Sequence, residues 1–168
     1  MMLSDRHKRF LIVDQGIVPT IFNFVLNGFI CWALFRTAES VPLWSESSVG
    51  VDLLVTAFVL PFLTALIVSG IVSRELRAGK LPPLSSDQLP LSGWFKRSSF
   101  VRGLLLGICG VIFAAITLVW ALDLGQAQPF TVSSFILFKA VWAGLLAMIF
   151  TPLVAWWALA NASQFHQT

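Results

Sequence analysis

Charge is scarce in this chain of 168 residues: Asp, Glu, Lys and Arg together make up 11%, where an ordinary soluble domain carries about 25%. Apolar residues make up 57%, and the mean hydropathy is +0.85. That balance excludes an ordinary soluble globule and predicts a protein that lives in a lipid bilayer. Cysteine is nearly absent. Cys31 and Cys109 both lie inside apolar runs, so the chain has no disulfide framework of the extracellular kind. Histidine is limited to His7 and His166, outside the apolar runs, which excludes haem held by paired intramembrane histidines. No Asp, Glu or His falls in the middle of any apolar run, so the carboxylate relay of many proton-coupled pumps is missing. There is no HExxH helix, GxSxG elbow, P-loop or CxxC pair, and no grouping of metal ligands. The sequence therefore predicts no enzyme and no cofactor. The net charge of +3 is small and follows the loops, so nucleic acid is not an expected partner.

What is there is hydrocarbon in long runs. A bilayer core about 30 Å thick needs about 20 helical residues, and residues 15–35, 51–73, 103–122 and 140–160 each supply such a length. Helices are required because lipid offers no partner to free backbone groups. The expected fold is an all-α membrane protein with four transmembrane helices arranged as two hairpins. Its parts are an N-terminal segment (1–14), a first hairpin (15–73), a central loop (74–102), a second hairpin (103–160) and a C-terminal tail (161–168). Arg6, Lys8 and Arg9 imitate the start of a signal peptide. The run that follows is too long for an h-region and lacks a small-x-small cleavage site, so a retained first span is expected.

Orientation follows from Lys and Arg. Nine of them flank the N-terminus and central loop, while only Arg36 and Lys139 belong to the other two connections. The positive-inside rule then puts both termini and the central loop in the cytoplasm. A multi-pass protein of the plasma membrane or a bacterial inner membrane is expected, with the bilayer as its first partner. Trp94, Trp156 and Trp157 fall near the inner boundary, and Trp32, Trp44 and Trp120 near the outer one. The central loop mixes Pro82, Pro83 and Pro90 with spaced leucines, so it cannot be helical throughout and is expected to lie along the inner surface. The two hairpins start on the same side, and each returns through a proline-bearing helix, a pattern that suits a tandem duplication.

Few residues offer chemistry. Gln15, Pro19, Asn23, Asn27 and Cys31 recur at four-residue intervals and share one slowly drifting helix face. An amide turned to lipid costs several kcal/mol by order of magnitude, so this stripe must face the bundle or a partner. Pro61 frees the carbonyl of Ala57, and Pro152 that of Met148, while Thr64 and Thr151 stand close enough to absorb part of the disruption. Gln15, Asn23, Asn27, Pro61, Thr151 and Pro152 are thus either interhelical contacts or the wall of a polar path. At the outer boundary, Arg36, Asp52, Asp123 and Lys139 fall at similar depth and form a candidate charge cluster, with Asp52 the nearest partner for Lys139. Gly103, Gly107, Gly110 and Ala114 in the third span, and Ala143 and Ala147 in the fourth, form small-residue faces. Such faces let helices approach closely, so the third and fourth spans are expected to pack together or across a dimer interface.

The size and four-span topology are similar to those of quinone-linked disulfide oxidases, small multidrug exporters and lipoprotein signal peptidases. The residues those families need are missing: there are no cysteines in the outer loops, Asn23 and Asn27 stand in the first span with no carboxylate at its middle, and the paired membrane-proximal aspartate motifs are not found. The expected role is an accessory or scaffold subunit, working as a homo-oligomer or in a larger membrane complex. The alternative is a small oligomeric transporter or channel with a path lined by the first helix.

Overall fold

The computed structural model describes residues 4–84, 98–126 and 129–164 of the chain. Among them are four helices long and apolar enough to cross a membrane: α1 (Asp5–Phe35), α2 (Val49–Arg77), α3 (Ser99–Leu124) and α4 (Val132–Gln164). Every helix runs past the apolar window that predicts it, except where α1 ends at Phe35. Residues 5–14 and 161–164, expected as flanking segment and tail, are helical. The central stretch of the proline-rich loop, with Trp94, Lys96 and Arg97, lies outside the described residues, as does His166.

Caps explain the added turns. Ser4 Oγ accepts from His7 N–H, Ser48 Oγ from Val51 N–H, Ser98 Oγ from Val101 N–H, and Thr131 Oγ1 from Ser134 N–H. Each satisfies a backbone donor that the first turn of a helix leaves free. α2 stops at Gly79, whose φ of +67° suits a residue without a Cβ. There Lys80 N–H reaches Glu75 C=O and Gly79 N–H reaches Leu76 C=O, the two bonds of a Schellman termination.

The lateral order differs from the expected pairing of neighbours in sequence. α1 packs on α4, α4 on α2, and α2 on α3, so α4 stands between α1 and α2 over most of their length. Small residues explain each contact. A Cβ built on Gly28 would stand 3.3 Å from Ala140 Cβ, and one on Gly144 would stand 3.4 Å from Thr20 C=O, so α1 and α4 meet closely. The glycine stripe of α3 faces α2 and not α4 as expected: Cβ atoms at Gly103 and Gly107 would come within 3.0 Å and 2.8 Å of Phe62 and Phe58. Ala143 and Ala147 pack around Leu60 of α2, with Ala114 of α3 against the same cluster. Both small faces are therefore packing surfaces, with α2 as the shared neighbour.

Two ends close the bundle. At one, Val41 and Phe130 exchange backbone hydrogen bonds and join the two short loops over a core of Cys31, Phe35, Leu43, Leu53 and Phe135. This is called the loop end. At the other, the terminal end, His7 Nε2 lies 2.9 Å from Pro82 C=O, and Leu84 N–H donates to Ser163 Oγ at 2.9 Å, tying the chain after α2 to α1 and α4. Large apolar side chains such as Phe22, Phe29, Ile149 and Phe113, the last 74% exposed, cover the flanks. In water such a surface would drive aggregation; in lipid it is the ordinary exterior of a span.

Candidate functional site

Because α1 and α2 both pack on α4 and meet each other only around the loop-end core, the space between them is a groove of about 640 Å³, walled by these two helices and floored by α4. It is lined from Leu34 and Asp52 near the loop end to Asp14 and Ile71 toward the terminal end. Its walls are mostly apolar, with Val18, Phe22, Leu26, Val55, Val59 and Leu63 among them. Into this hydrocarbon lining the chain places polar groups at two levels.

The first level is near the loop end. Lys139, whose side chain is 3% exposed, donates to Asp52 Oδ1 across the groove floor. That ion pair was expected from depth alone. Asn27 comes to the same level because Gly28, its neighbour, abuts Ala140, the neighbour of Lys139. Asn27 therefore lies toward the loop end and not at the middle of its span. Asp52 Oδ2 is buried and has no hydrogen-bond partner among the described residues. Arg36 and Asp123 do not join the pair: Arg36 folds back over the Trp32 ring, 5.1 Å from its centroid, and both side chains are exposed where their helices end. The expected cluster of four charges is in the structure a buried pair with two exposed charges outside it.

The second level is toward the terminal end. Lys139 and Thr151 are twelve residues apart on α4, which is about 18 Å along a helix. Gly16 faces Pro152, so Gln15 and Thr151 share this depth. Both line the groove, and Thr151 Oγ1 is buried without a hydrogen-bond partner among the described residues. The expectation that Thr151 hydrogen-bonds into the proline kink is thus not met. Thr151→Val should leave thermal unfolding in detergent unchanged within about 0.5 kcal/mol, because it removes a hydroxyl with no hydrogen-bond partner among the described residues. A loss above about 1 kcal/mol would mean that the hydroxyl has a structural partner.

The amides of Asn23 and Asn27 bond within their own helix. Asn23 Nδ2 donates to Pro19 C=O at 2.9 Å and Asn27 Nδ2 to Asn23 C=O at 3.0 Å. This occupies one N–H of each amide within α1, and both residues line the groove. α1 also carries a π-helical stretch, Phe10–Ile17, beside the groove's terminal end. Such wide turns are found often at functional sites. Pro61 departs from the expected polar wall. The carbonyl it frees, that of Ala57, turns toward Gly110 of α3, where a Cβ would stand only 2.3 Å from the oxygen. The Cα hydrogen of glycine faces it instead, a weak donor to a carbonyl with no amide. Pro152 contacts the Gly16 region and is absent from the groove lining.

Three groups were missed from sequence. Asp14, assigned to the flanking segment, lines the groove inside α1; its place one residue before Gln15 was the available signal. Thr56 lines the α2 wall beside Thr64, which the sequence placed only at the Pro61 kink. Arg102, counted as a loop-margin charge, is buried: its Nη2 donates to Ser99 Oγ at 3.0 Å and Ser69 Oγ at 3.3 Å, and the guanidinium lies 5.8 Å from the centroid of the Trp157 ring. It joins α3, α2 and α4 at the terminal end and takes no part in the groove.

No protein-family model matches this chain, and no curated protein or solved structure is detectably similar to it. What is shown is the class: an all-helical protein with four helices suited to cross a membrane.

Proposed function

We propose that this protein is a non-catalytic membrane subunit whose working surface is the groove between α1 and α2, and that the groove receives the hydrocarbon chain of a lipid-like amphiphile. The observation that carries this is the combination of about 640 Å³ of mostly apolar space with polar atoms lacking partners, Asp52 Oδ2 and Thr151 Oγ1, at its lining. That volume falls in the range of about 300–1,000 Å³ for ligand sites. A partner's transmembrane helix, about 10 Å across and 30 Å long, fills roughly 2,400 Å³ and would rest only on the rim. A flexible chain suits the space better.

The Lys and Arg bias orients the loop end, and with it the Asp52–Lys139 pair, toward the outer leaflet. A subunit of this kind holds or presents a lipid to a larger assembly, in keeping with the accessory role expected from sequence. The transporter reading draws on the two polar levels within one chain, which give a polar path a wall without requiring oligomerisation. Photolabelling distinguishes the groove from the exterior. A phospholipid with a diazirine on its acyl chain, in nanodiscs holding the full chain, should label Leu26 and Val59 several-fold more than exposed Phe113. Equal labelling of these sites would sink the lipid-groove reading. Asn27→Leu should then leave the fold intact, since its amide bonds only to its own helix, and change stability by less than about 1 kcal/mol.

A further inference from the structure

At the loop end of the groove, the ion pair is incomplete in both of its partners. An ammonium carries three N–H donors, and the one hydrogen bond of Lys139 among the described residues goes to Asp52 Oδ1. Among the described residues Asp52 accepts there and nowhere else, its Oδ2 being buried without a hydrogen-bond partner. Two donors on one group and an acceptor on its neighbour thus stand together, away from water and beside an apolar groove. A buried pair is stable only when its remaining donors and acceptors are also satisfied.

We infer that this pair recognises the head of a zwitterionic aminophospholipid, its phosphate oxygen accepting from Lys139 Nζ and its primary ammonium donating to Asp52 Oδ2, while one acyl chain lies in the groove. The charges complement each other in both places. A purely anionic head would satisfy Lys139 and repel Asp52; a head with a quaternary ammonium has charge but no N–H to give. Asp52 lies one turn inside the start of α2, a depth at which a phospholipid head meets the bundle. The groove is open along its flank, so the second acyl chain remains among neighbouring lipids. This inference rests on the groove holding an acyl chain.

The test uses a series in which charge is constant and only donors change. Phosphatidylethanolamine, its N-methyl and N,N-dimethyl forms and phosphatidylcholine, with identical acyl chains, are titrated against the full chain in detergent and read by native mass spectrometry. Affinity should be kept by the forms that retain an N–H and fall by about fivefold or more at phosphatidylcholine, where the last N–H is lost. The double variant Asp52→Asn, Lys139→Gln keeps the pair neutral and hydrogen-bonding, and should flatten the series to within twofold. A flat series with the parent protein, or a preference that persists in a double variant that elutes as a folded, monodisperse species, overturns the inference. If the double variant does not fold, the parent series decides alone. A flat series combined with groove-specific photolabelling removes the head recognition and leaves the groove reading standing; loss of both removes the two together.

Discussion

Lys139→Met should destabilise the bundle by about 3–5 kcal/mol, more than any other single change considered. The side chain it replaces is 3% exposed, and its partner Asp52 is 11% exposed. Removing the ammonium leaves a carboxylate in an apolar setting with neither a counter-charge nor a donor, and the penalty is that of the stranded ion more than the worth of the pair. The control is the double variant Asp52→Leu, Lys139→Met, which removes both charges and should recover to within about 1 kcal/mol of the parent or exceed it. Unfolding of each variant by heat or by denaturing detergent, followed by circular dichroism, measures both. Single and double variants of equal stability would show that the pair is not buried as described.

Gly110→Ala should cost about 1–3 kcal/mol, although alanine is the better helix former. The new methyl would fall 2.3 Å from the carbonyl oxygen of Ala57, a backbone atom that cannot rotate away, and α2 and α3 would have to separate. Pro61 is the reason this oxygen is there to be struck: the missing N–H leaves it outside the helix ladder and turned to its neighbour. Gly70→Ala provides the contrast. Its added Cβ meets nothing within 4 Å, so only helix propensity acts and stability should hold or rise by up to about 1 kcal/mol. A Gly110→Ala protein as stable as its Gly70→Ala counterpart would refute the close approach of α2 and α3.

The spans themselves were legible because lipid imposes one rule on length and composition, and every run that satisfies it is a helix. Their ends were less so. Residues 5–14 carry Asp5, Arg6, Lys8 and Arg9, and a hydropathy window discards them, while Ser4 caps a helix that includes them all. The polar stripe of Gln15, Asn23 and Asn27 could be found from four-residue spacing, and the Asp52–Lys139 pair from common depth. Which helices lie side by side could not. A small residue announces that something approaches, and the glycines at 103, 107 and 110 would serve α4 as well as α2; the choice falls to Phe58 and Phe62, whose stacked rings stand 5.8 Å apart beside that stripe. Arg102 was misjudged for a related reason: position marked it as a boundary charge, while Ser69 and Ser99, each able to accept from it, are remote in sequence or ordinary in appearance.

The central place of α4 has a consequence for biogenesis. Ribosomes deliver the four spans in order, and the one on which both α1 and α2 lean is delivered after the other three. Until it is inserted, α2 and α3 can associate through their glycine contact, while α1 lacks the helix on which most of its length packs. The amides of Asn23 and Asn27, bonded back to their own helix, and its exposed rim of Phe22, Val25 and Phe29 equip it for that interval. Arrival of α4 then captures α1, buries Lys139 against Asp52 and creates the groove in a single step. A nascent chain halted before residue 132 would hold every residue of both groove walls and still have no floor to join them.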